Sequence, residues 1–156
     1  MSETGKRIQQ LGIKLPDKNR KGSGTVDAVR HADLLFLSAH LPVDMDGNPV
    51  YRGKVGTELT PEEGYQAARL CGINMLATIK DHIGELDRVD YIVKVLGVVN
   101  SGADFSSQPA VINGFSDLMV EVFGKRGQHA RSAMGAYALQ GDVPVAVEAI
   151  VRIRMG

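Results

Sequence analysis

The sequence has little of the chemistry on which several protein classes depend. It contains one cysteine, Cys71, no tryptophan, and only 5% aromatic residues. One cysteine cannot form an internal disulfide, which favours a reducing, cytoplasmic environment. So few aromatic rings argue against an extended surface for stacking nucleic-acid bases. Cys71 itself lies beside the apolar stripe of a predicted helix, which indicates a small buried hydrophobic residue and not a nucleophile.

Net charge, long apolar runs and grouped metal ligands are missing as well. The 18 basic residues balance the 18 acidic ones, so nothing predicts the basic surface that a phosphate backbone requires. No apolar run approaches the ~20 residues that span a bilayer, and the polar N-terminus does not resemble a secretory signal. The four histidines are scattered, with no pair four residues apart. We therefore expect neither a nucleic-acid nor a membrane partner, and no metal site.

The chain divides into a polar arm and one domain. Residues 1–24 form the arm, with a short helix over residues 5–11 and a loop by composition over residues 17–24. Residues 25–156 carry regular apolar periodicity and form a single domain. The length suits one hydrophobic core.

Within the domain, the periodicity predicts the order β-β-α-β-α-β-β. Residues 34–39 form an apolar strand buried on both faces, and a capping box at Thr60 starts a long helix that ends near Gly84. The next elements are a strand over residues 88–101, a helix over residues 109–123 and two C-terminal strands. This order predicts an α+β domain with a mixed, mainly antiparallel sheet and two helices on one face. Several strands are apolar on both faces, but two helices can cover only one face of the sheet. The apolar face left uncovered predicts a homo-oligomer.

The two C-terminal strands each place one charge among small or apolar residues. These are Arg131 and Glu148, on strands close enough in sequence to pair. Arginine makes bidentate bonds to carboxylates, and a nearby glutamate can polarise water, which together suit hydrolysis of a small carboxylate-bearing molecule. A structural ion pair or an exposed charge at the rim of the sheet is the simpler alternative. His129 shares a face with Arg131 and could do acid–base work, and Asn113 is either an ordinary exposed residue or part of the site.

Several separate stretches, in order, resemble one known family. They are Ala130-Arg131-Ser132, residues 147–150, residues 35–42, the helix from Thr60, and residues 95–105. Together they are similar to the RidA family, also called YjgF/YER057c/UK114 or L-PSP endoribonuclease-like, over residues 25–153. Residues 53–56 and 113–118 resemble a divergent branch of that family.

The resemblance implies a chorismate-mutase-like fold and a homotrimer with sites in the clefts between subunits. It implies hydrolysis of reactive enamine or imine acids, such as 2-aminoacrylate, to 2-oxo acids and ammonia without a cofactor. Carried over by position, Arg131 would bind the substrate carboxylate and Glu148 would orient the water. Ser38 and the backbone near Ala39 would line the pocket, with Asn113 and His129 beside it.

The sequence departs from the family pattern at three pocket positions, in the loop before Arg131 that brings in His129, and in its extra N-terminal arm. Thr25 stands where the archetypes carry tyrosine, Ala39 where they carry glycine, and Ala133 where they often carry cysteine. These changes alter the pocket wall and leave the identity of the substrate undetermined. Two alternatives therefore stand beside the deaminase: a non-catalytic module that binds small carboxylates, and the endoribonuclease or translation inhibitor that some relatives are called, against which the neutral charge balance argues.

Overall fold

The computed structural model describes residues 1–17 and 24–156. Its helices and strands are α1 (Glu3–Gln10), β1 (Ala28–His31), β2 (Leu34–His40), α2 (Pro61–Ile83), β3 (Val89–Asn100), α3 (Gln108–Phe123), β4 (Ala130–Ala136) and β5 (Val145–Ile153). Three 3-10 turns cover Leu86–Arg88, Gly124–Gly127 and Gln140–Asp142. The predicted β-β-α-β-α-β-β order of the domain is confirmed. Of the loop predicted over residues 17–24, residues 18–23 lie outside the described residues.

The five strands form one sheet in the order β1-β2-β5-β3-β4. Strands β3 and β4 are parallel, and the other neighbours are antiparallel, as predicted for a mixed, mainly antiparallel sheet. The expectation that the two C-terminal strands pair is wrong, because β3 lies between β4 and β5. Helix α3 connects β3 to β4, and such a helical crossover returns the chain parallel to the strand it left.

Helix α2 begins as the sequence predicts. The Thr60 hydroxyl accepts a hydrogen bond from the Glu63 amide, and the Glu63 carboxylate accepts one from the Thr60 amide. Pro61 occupies the first turn of the helix. Backbone N–H groups there have no partner within the helix, so the N–H that proline lacks costs no helical hydrogen bond. Cys71 is fully buried in this helix, and burial raises the pKa of its thiol. The prediction that Cys71 is a small buried residue is thus confirmed, and its raised pKa disfavours the reactive thiolate.

Helices α2 and α3 pack together over one face of the sheet. Gly114 sets their separation, because a Cβ placed there would lie 2.0 Å from the Tyr65 carbonyl oxygen of α2. Alternate residues of β5 are buried beneath the helices: Val145, Val147, Ala149, Val151 and Ile153. Helix α1 adds to this layer, since Ile8 is buried and the Thr4 amide donates to Asp87 Oδ1 at 2.9 Å. Within the described residues, no helix is long and apolar enough to cross a membrane.

The opposite face of the sheet has no helical cover among the described residues. Val29, Phe36 and Met134 on this open face are 56%, 42% and 54% exposed. The expectation that β2 is buried on both faces is therefore wrong for the isolated chain, where only its Leu35 and Leu37 face is buried. The open face forms a shallow groove of about 610 Å³. Apolar surface of this extent is typical of an interaction site.

Candidate functional site

The predicted site residues fall into two groups on opposite faces of the sheet. Arg131 is opposite Val95 of β3, whereas Glu148 is opposite Leu96, the next residue along. Because successive side chains of a strand point to opposite faces, Arg131 belongs to the helix-covered face and Glu148 to the open face. The structure therefore does not bring Arg131 and Glu148 together within one chain, and β3 separates their strands. We call the two groups the arginine cluster and the open-face cluster.

The arginine cluster lies where the edge strand β4 meets α3. Arg131 Nη1 donates to Asn113 Oδ1 at 2.8 Å and to Ser116 Oγ at 3.1 Å. Asn113 and Ser116 are three residues apart on α3, so they lie on the same face of that helix. Within residues 1–17 and 24–156, the structure shows no hydrogen bond from Arg131 Nε or Nη2. Two α3 side chains thus fix the guanidinium, while its other edge keeps N–H groups for a ligand.

His129 extends this cluster by a second hydrogen bond to Ser116. His129 Nε2 lies 2.9 Å from Ser116 Oγ, and His129 Nδ1 lies 2.6 Å from the Gly127 carbonyl oxygen. A carbonyl can only accept, so Nδ1 carries the proton when the imidazole is neutral, and Nε2 accepts from the Ser116 hydroxyl. The bonds run in one direction, from Arg131 through Ser116 and His129 to the backbone. The Phe115 ring packs edge-on against the imidazole, with ring centroids 6.2 Å apart.

The surroundings of His129 favour its neutral form. Burial lowers its pKa from the ordinary 6.5, and the Arg131 charge lowers the pKa further, while the hydrogen bond to Gly127 opposes both effects. A neutral imidazole with an unprotonated Nε2 is a base at neutral pH. The arginine cluster opens on a surface pocket of about 450 Å³, lined also by Val120 and Gln128.

The open-face cluster is built around an irregularity in β2. Leu37 is opposite Ala149 and His40 is opposite Val147, so the two residues Ser38 and Ala39 stand opposite the single residue Glu148. Such a β-bulge is a common device for redirecting side chains next to a site. All three of these residues are exposed. The predicted grouping of Ser38 and Ala39 with Glu148 is therefore present, but without Arg131.

Buried polar contacts hold the bulge from the helix side. His40 Nδ1 lies 2.7 Å from the Ser38 carbonyl oxygen, and His40 Nε2 lies 2.7 Å from the Thr78 hydroxyl of α2. Both His40 and Thr78 are buried. A buried network of this kind costs several kcal/mol if it is half satisfied, so it defines one conformation of the bulge. His40 is thus structural support for the backbone that faces Glu148.

Three contributors were absent from the sequence-based site. Ser116 lies in the segment 113–118 that resembles the divergent branch but was given no role, because a serine inside a helix is normally an exposed residue. Its spacing of three from Asn113 would have placed both on one face. Lys94 belongs to the open-face groove and donates to Ser132 Oγ at 2.8 Å. His40 sits one residue beyond the bulge. No group of three or more His, Cys, Asp or Glu residues within the described ranges is placed to hold a metal ion.

The departures from the family pattern have clear positions. Ala133 is on the same face of β4 as Arg131, two residues away, and packs partly buried against the core. Thr25 is exposed ahead of β1. Ala39 forms half of the bulge, where its methyl group adds bulk opposite Glu148. Ala39 and Ala133 therefore lie beside Glu148 and Arg131 respectively, whereas Thr25 lies outside the strands.

Comparison with known proteins agrees with the fold and with the family resemblance. The family described as "YjgF/chorismate mutase-like, putative endoribonuclease" matches residues 7–143. Protein TCP17 of Trypanosoma cruzi is 38% identical over 147 residues, covering 94% of this chain and 91% of that protein. A solved structure of a protein of unknown function from Agrobacterium tumefaciens is 34% identical, with a TM-score of 0.89 over 97% of this chain and 94% of that one.

A second solved structure, of an endoribonuclease-named protein from Shewanella oneidensis, is 27% identical, with a TM-score of 0.91. It covers 97% of this chain and 100% of that one. These matches extend over the arm as well as the domain, and over almost the full length of each relative. The chain belongs to the YjgF/RidA family, with its chorismate-mutase-like α+β fold.

Proposed function

We propose that this protein hydrolyses small reactive enamine or imine acids of the 2-aminoacrylate type, giving a 2-oxo acid and ammonia. The observation that carries the proposal is the fixed guanidinium of Arg131. Its Nη1 is held by Asn113 and Ser116, which leaves one edge for a planar carboxylate. A bidentate, charge-assisted pair orients a small acid as well as holding it. Membership of the YjgF/RidA family supports the proposal through the reaction class that the resemblance implies.

Glu148 completes the proposed site from a neighbouring subunit. Within one chain Glu148 lies on the open face and Arg131 on the helix-covered face, so a single ligand contacts both only across a subunit contact. The apolar residues around Glu148, among them the exposed Phe36 and the partly exposed Ile150, support a second copy as the molecule that covers this face. We propose the homotrimer that the resemblance implies, with each cleft pairing Arg131 of one subunit and Glu148 of the next.

The chemistry that this arrangement supports is addition of water to an electrophilic carbon. The protonated imine carbon next to the carboxylate accepts water readily, so the protein's task is to hold the acid and aim the water. Arg131 performs the first part, and the Glu148 carboxylate accepts a hydrogen bond from water and performs the second. A cytoplasmic location fits a chain whose one cysteine is a buried thiol.

The test is ammonia release from 2-aminoacrylate generated in situ by a dehydratase. We expect the wild-type protein to accelerate release above the spontaneous rate, and Arg131→Ala to lose this acceleration. Arg7→Ala is the matched control, because Arg7 is an arginine of α1, outside both clusters and the open face, that pairs with Glu3 and donates to the Val122 carbonyl oxygen. Unchanged turnover in Arg131→Ala would remove Arg131 from the mechanism.

Two other outcomes identify the competing functions. Thermal stabilisation by pyruvate without any ammonia release would indicate a binding module; at one hundred times the dissociation constant the gain is about 2.7 kcal/mol. Some relatives carry an endoribonuclease name, which is tested with a structured RNA at low and high salt. Cleavage that survives both high salt and Arg131→Ala would replace the deaminase proposal. The balanced charge of the chain argues against that result.

A further inference from the structure

We propose that Ser116 and His129 form a proton relay in the arginine cluster, with Ser116 exchanging protons with the bound water or substrate and His129 storing the proton behind it. This inference rests on the proposed deaminase and adds the groups that move its protons. The roles proposed for Ser116 and His129 are separate from carboxylate binding by Arg131 and from water orientation by Glu148. The relay is carried by the geometry between α3, the Gly124–Gly127 turn and β4.

The first step in the argument is the direction of the hydrogen bonds. The Gly127 carbonyl 2.6 Å from His129 Nδ1 fixes the proton on that nitrogen. His129 Nε2 is then the acceptor for the Ser116 hydroxyl 2.9 Å away. A hydroxyl hydrogen-bonded to an imidazole whose other nitrogen is oriented by a third group, commonly a carboxylate, is the arrangement by which enzymes activate hydroxyl groups. Here a backbone carbonyl takes the place of the orienting carboxylate.

The second step is the position of Ser116 beside the anchor. Ser116 Oγ accepts from Arg131 Nη1 at 3.1 Å, so the serine lies next to the place where a carboxylate on Arg131 would be held. The carbon that reacts is bonded directly to that carboxylate. Ser116 and His129 both line the same surface pocket as Arg131 and Asn113. The cluster thus holds an anchor and a proton acceptor within one chain.

The third step is the charge around the imidazole. Strand β4 presents Arg131 to His129, and α3 presents the uncharged Ser116 and Phe115. The turn before β4 presents the Gly127 carbonyl. Burial and the Arg131 cation both lower the pKa of His129. At neutral pH His129 Nε2 is therefore unprotonated and can accept the Ser116 proton.

The proton balance of the reaction fits such a relay. When water adds to the protonated imine, a C–O bond forms and the C=N π pair moves to nitrogen. The proton lost by the water passes to Ser116 Oγ as the Ser116 proton passes to His129 Nε2. The stored proton then returns through Ser116 to the amine. The C–N bond breaks with its electron pair on nitrogen, the hydroxyl proton leaves with it, and the products are a 2-oxo acid and ammonium.

The decisive variant is His129→Gln, whose amide oxygen can accept from Ser116 but cannot store a proton. We expect kcat to fall about 100-fold, while KM stays within about threefold because Arg131 keeps both of its α3 partners. The acid limb of the wild-type pH–rate profile, where His129 becomes protonated, should disappear in the variant. His82→Gln is the matched control, since His82 is an exposed histidine at the other long helix. It should leave kcat and the profile unchanged.

Ser116 is tested by removal and by rescue. Ser116→Ala should lower kcat and raise KM together, because the serine also holds Arg131. Ser116→Thr keeps a hydroxyl and should recover most of the kcat, which a purely packing role would not predict. In addition, 15N NMR of the imidazole should show Nδ1 protonated and Nε2 unprotonated in the wild-type protein at neutral pH.

The outcomes separate the relay from the deaminase proposal. If the wild type releases ammonia and Arg131→Ala does not, yet His129→Gln keeps the wild-type kcat and acid limb, the relay is wrong and the deaminase stands. An Nε2-protonated neutral tautomer would also overturn the relay. If the wild type gives no release above the spontaneous rate, the deaminase fails and the relay built on it fails too.

Discussion

Replacing Phe36 with glutamate should separate the subunits of the proposed assembly. Phe36 lies on the open face, 42% exposed in the isolated chain, among apolar residues such as Val29 and Met134. A phenylalanine side chain buries on the order of 200 Å², so covering the exposed part of Phe36 removes about 80 Å² from water. At ~25 cal/mol per Å² this contributes about 2 kcal/mol for each subunit.

Phe36→Glu loses this contribution and adds the cost of burying an unpaired carboxylate, which is several kcal/mol. The loss of apolar burial alone weakens each contact about 30-fold. The assay is analytical ultracentrifugation at a series of concentrations, with turnover measured on the same samples. We expect the wild type to sediment as a trimer, and Phe36→Glu to sediment as a folded monomer that has lost turnover.

Val50→Glu is the matched control, because Val50 is 51% exposed but lies in a loop outside the strands. It should keep the wild-type mass and activity. A Phe36→Glu protein that keeps the wild-type mass at every concentration would refute the assignment of the open face to a subunit contact. A monomeric wild type with full turnover would refute the shared site.

Three further predictions concern stability. Thr60→Ala removes the N-terminal cap of α2 and should lower the free energy of unfolding by about 1 kcal/mol, measured by urea denaturation; an unchanged midpoint would contradict the cap. Thr78→Val removes the hydroxyl bonded to His40 Nε2 and should lower the unfolding free energy by roughly 1 kcal/mol, with broadened or shifted amide NMR signals at Ser38 and Ala39 as the second readout. His129 has a folded pKa below its ordinary 6.5, so as the pH falls below that value the unfolded chain binds a proton first and the wild type loses stability until the folded pKa is reached. His129→Gln should lack this loss, which urea midpoints at about pH 7.5 and about pH 5.5 will show; an equal drop in both proteins would contradict the shifted pKa.

The sequence predicted the elements well, because their signals are local. The capping box at Thr60 and the alternation of β5 each specify a structure within a few residues, and both are present. The resemblance of several segments in order, among them the one around Arg131, was likewise enough to identify the family, whose model matches residues 7–143. These are properties that neighbouring residues determine among themselves.

The arrangement of the two charges was not predictable in the same way. Arg131 and Glu148 are close in sequence, and the turn at Gly141 resembles a hairpin, which favoured paired strands. The observed order instead depends on β3, a strand that begins about forty residues before β4 in the sequence. Pairing β4 with β3 through the α3 crossover moves Arg131 onto the helix-covered face. Local pattern carries no information on which distant strand occupies the place between two others.

Ser116 and the β2 bulge were missed for a related reason. Ser116 matters only because β4 brings Arg131 and His129 against α3, and a serine on a helix has no pattern of its own. The bulge at Ser38 and Ala39 exists because β2 pairs with β5 on both sides of one unmatched residue. Contacts between elements thus determine both clusters, whereas the sequence signals described each element separately.

The most direct test of the shared site is complementation between two inactive variants. Arg131→Ala and Glu148→Gln would each be expressed alone and then together, and ammonia release would be measured on the mixed assembly. If Arg131 of one subunit works with Glu148 of the next, random mixing creates clefts with both native residues, and about a quarter of the wild-type activity should return. Activity no higher than that of either variant alone, in an assembly shown by mass spectrometry to contain both chains, would contradict a site shared between subunits.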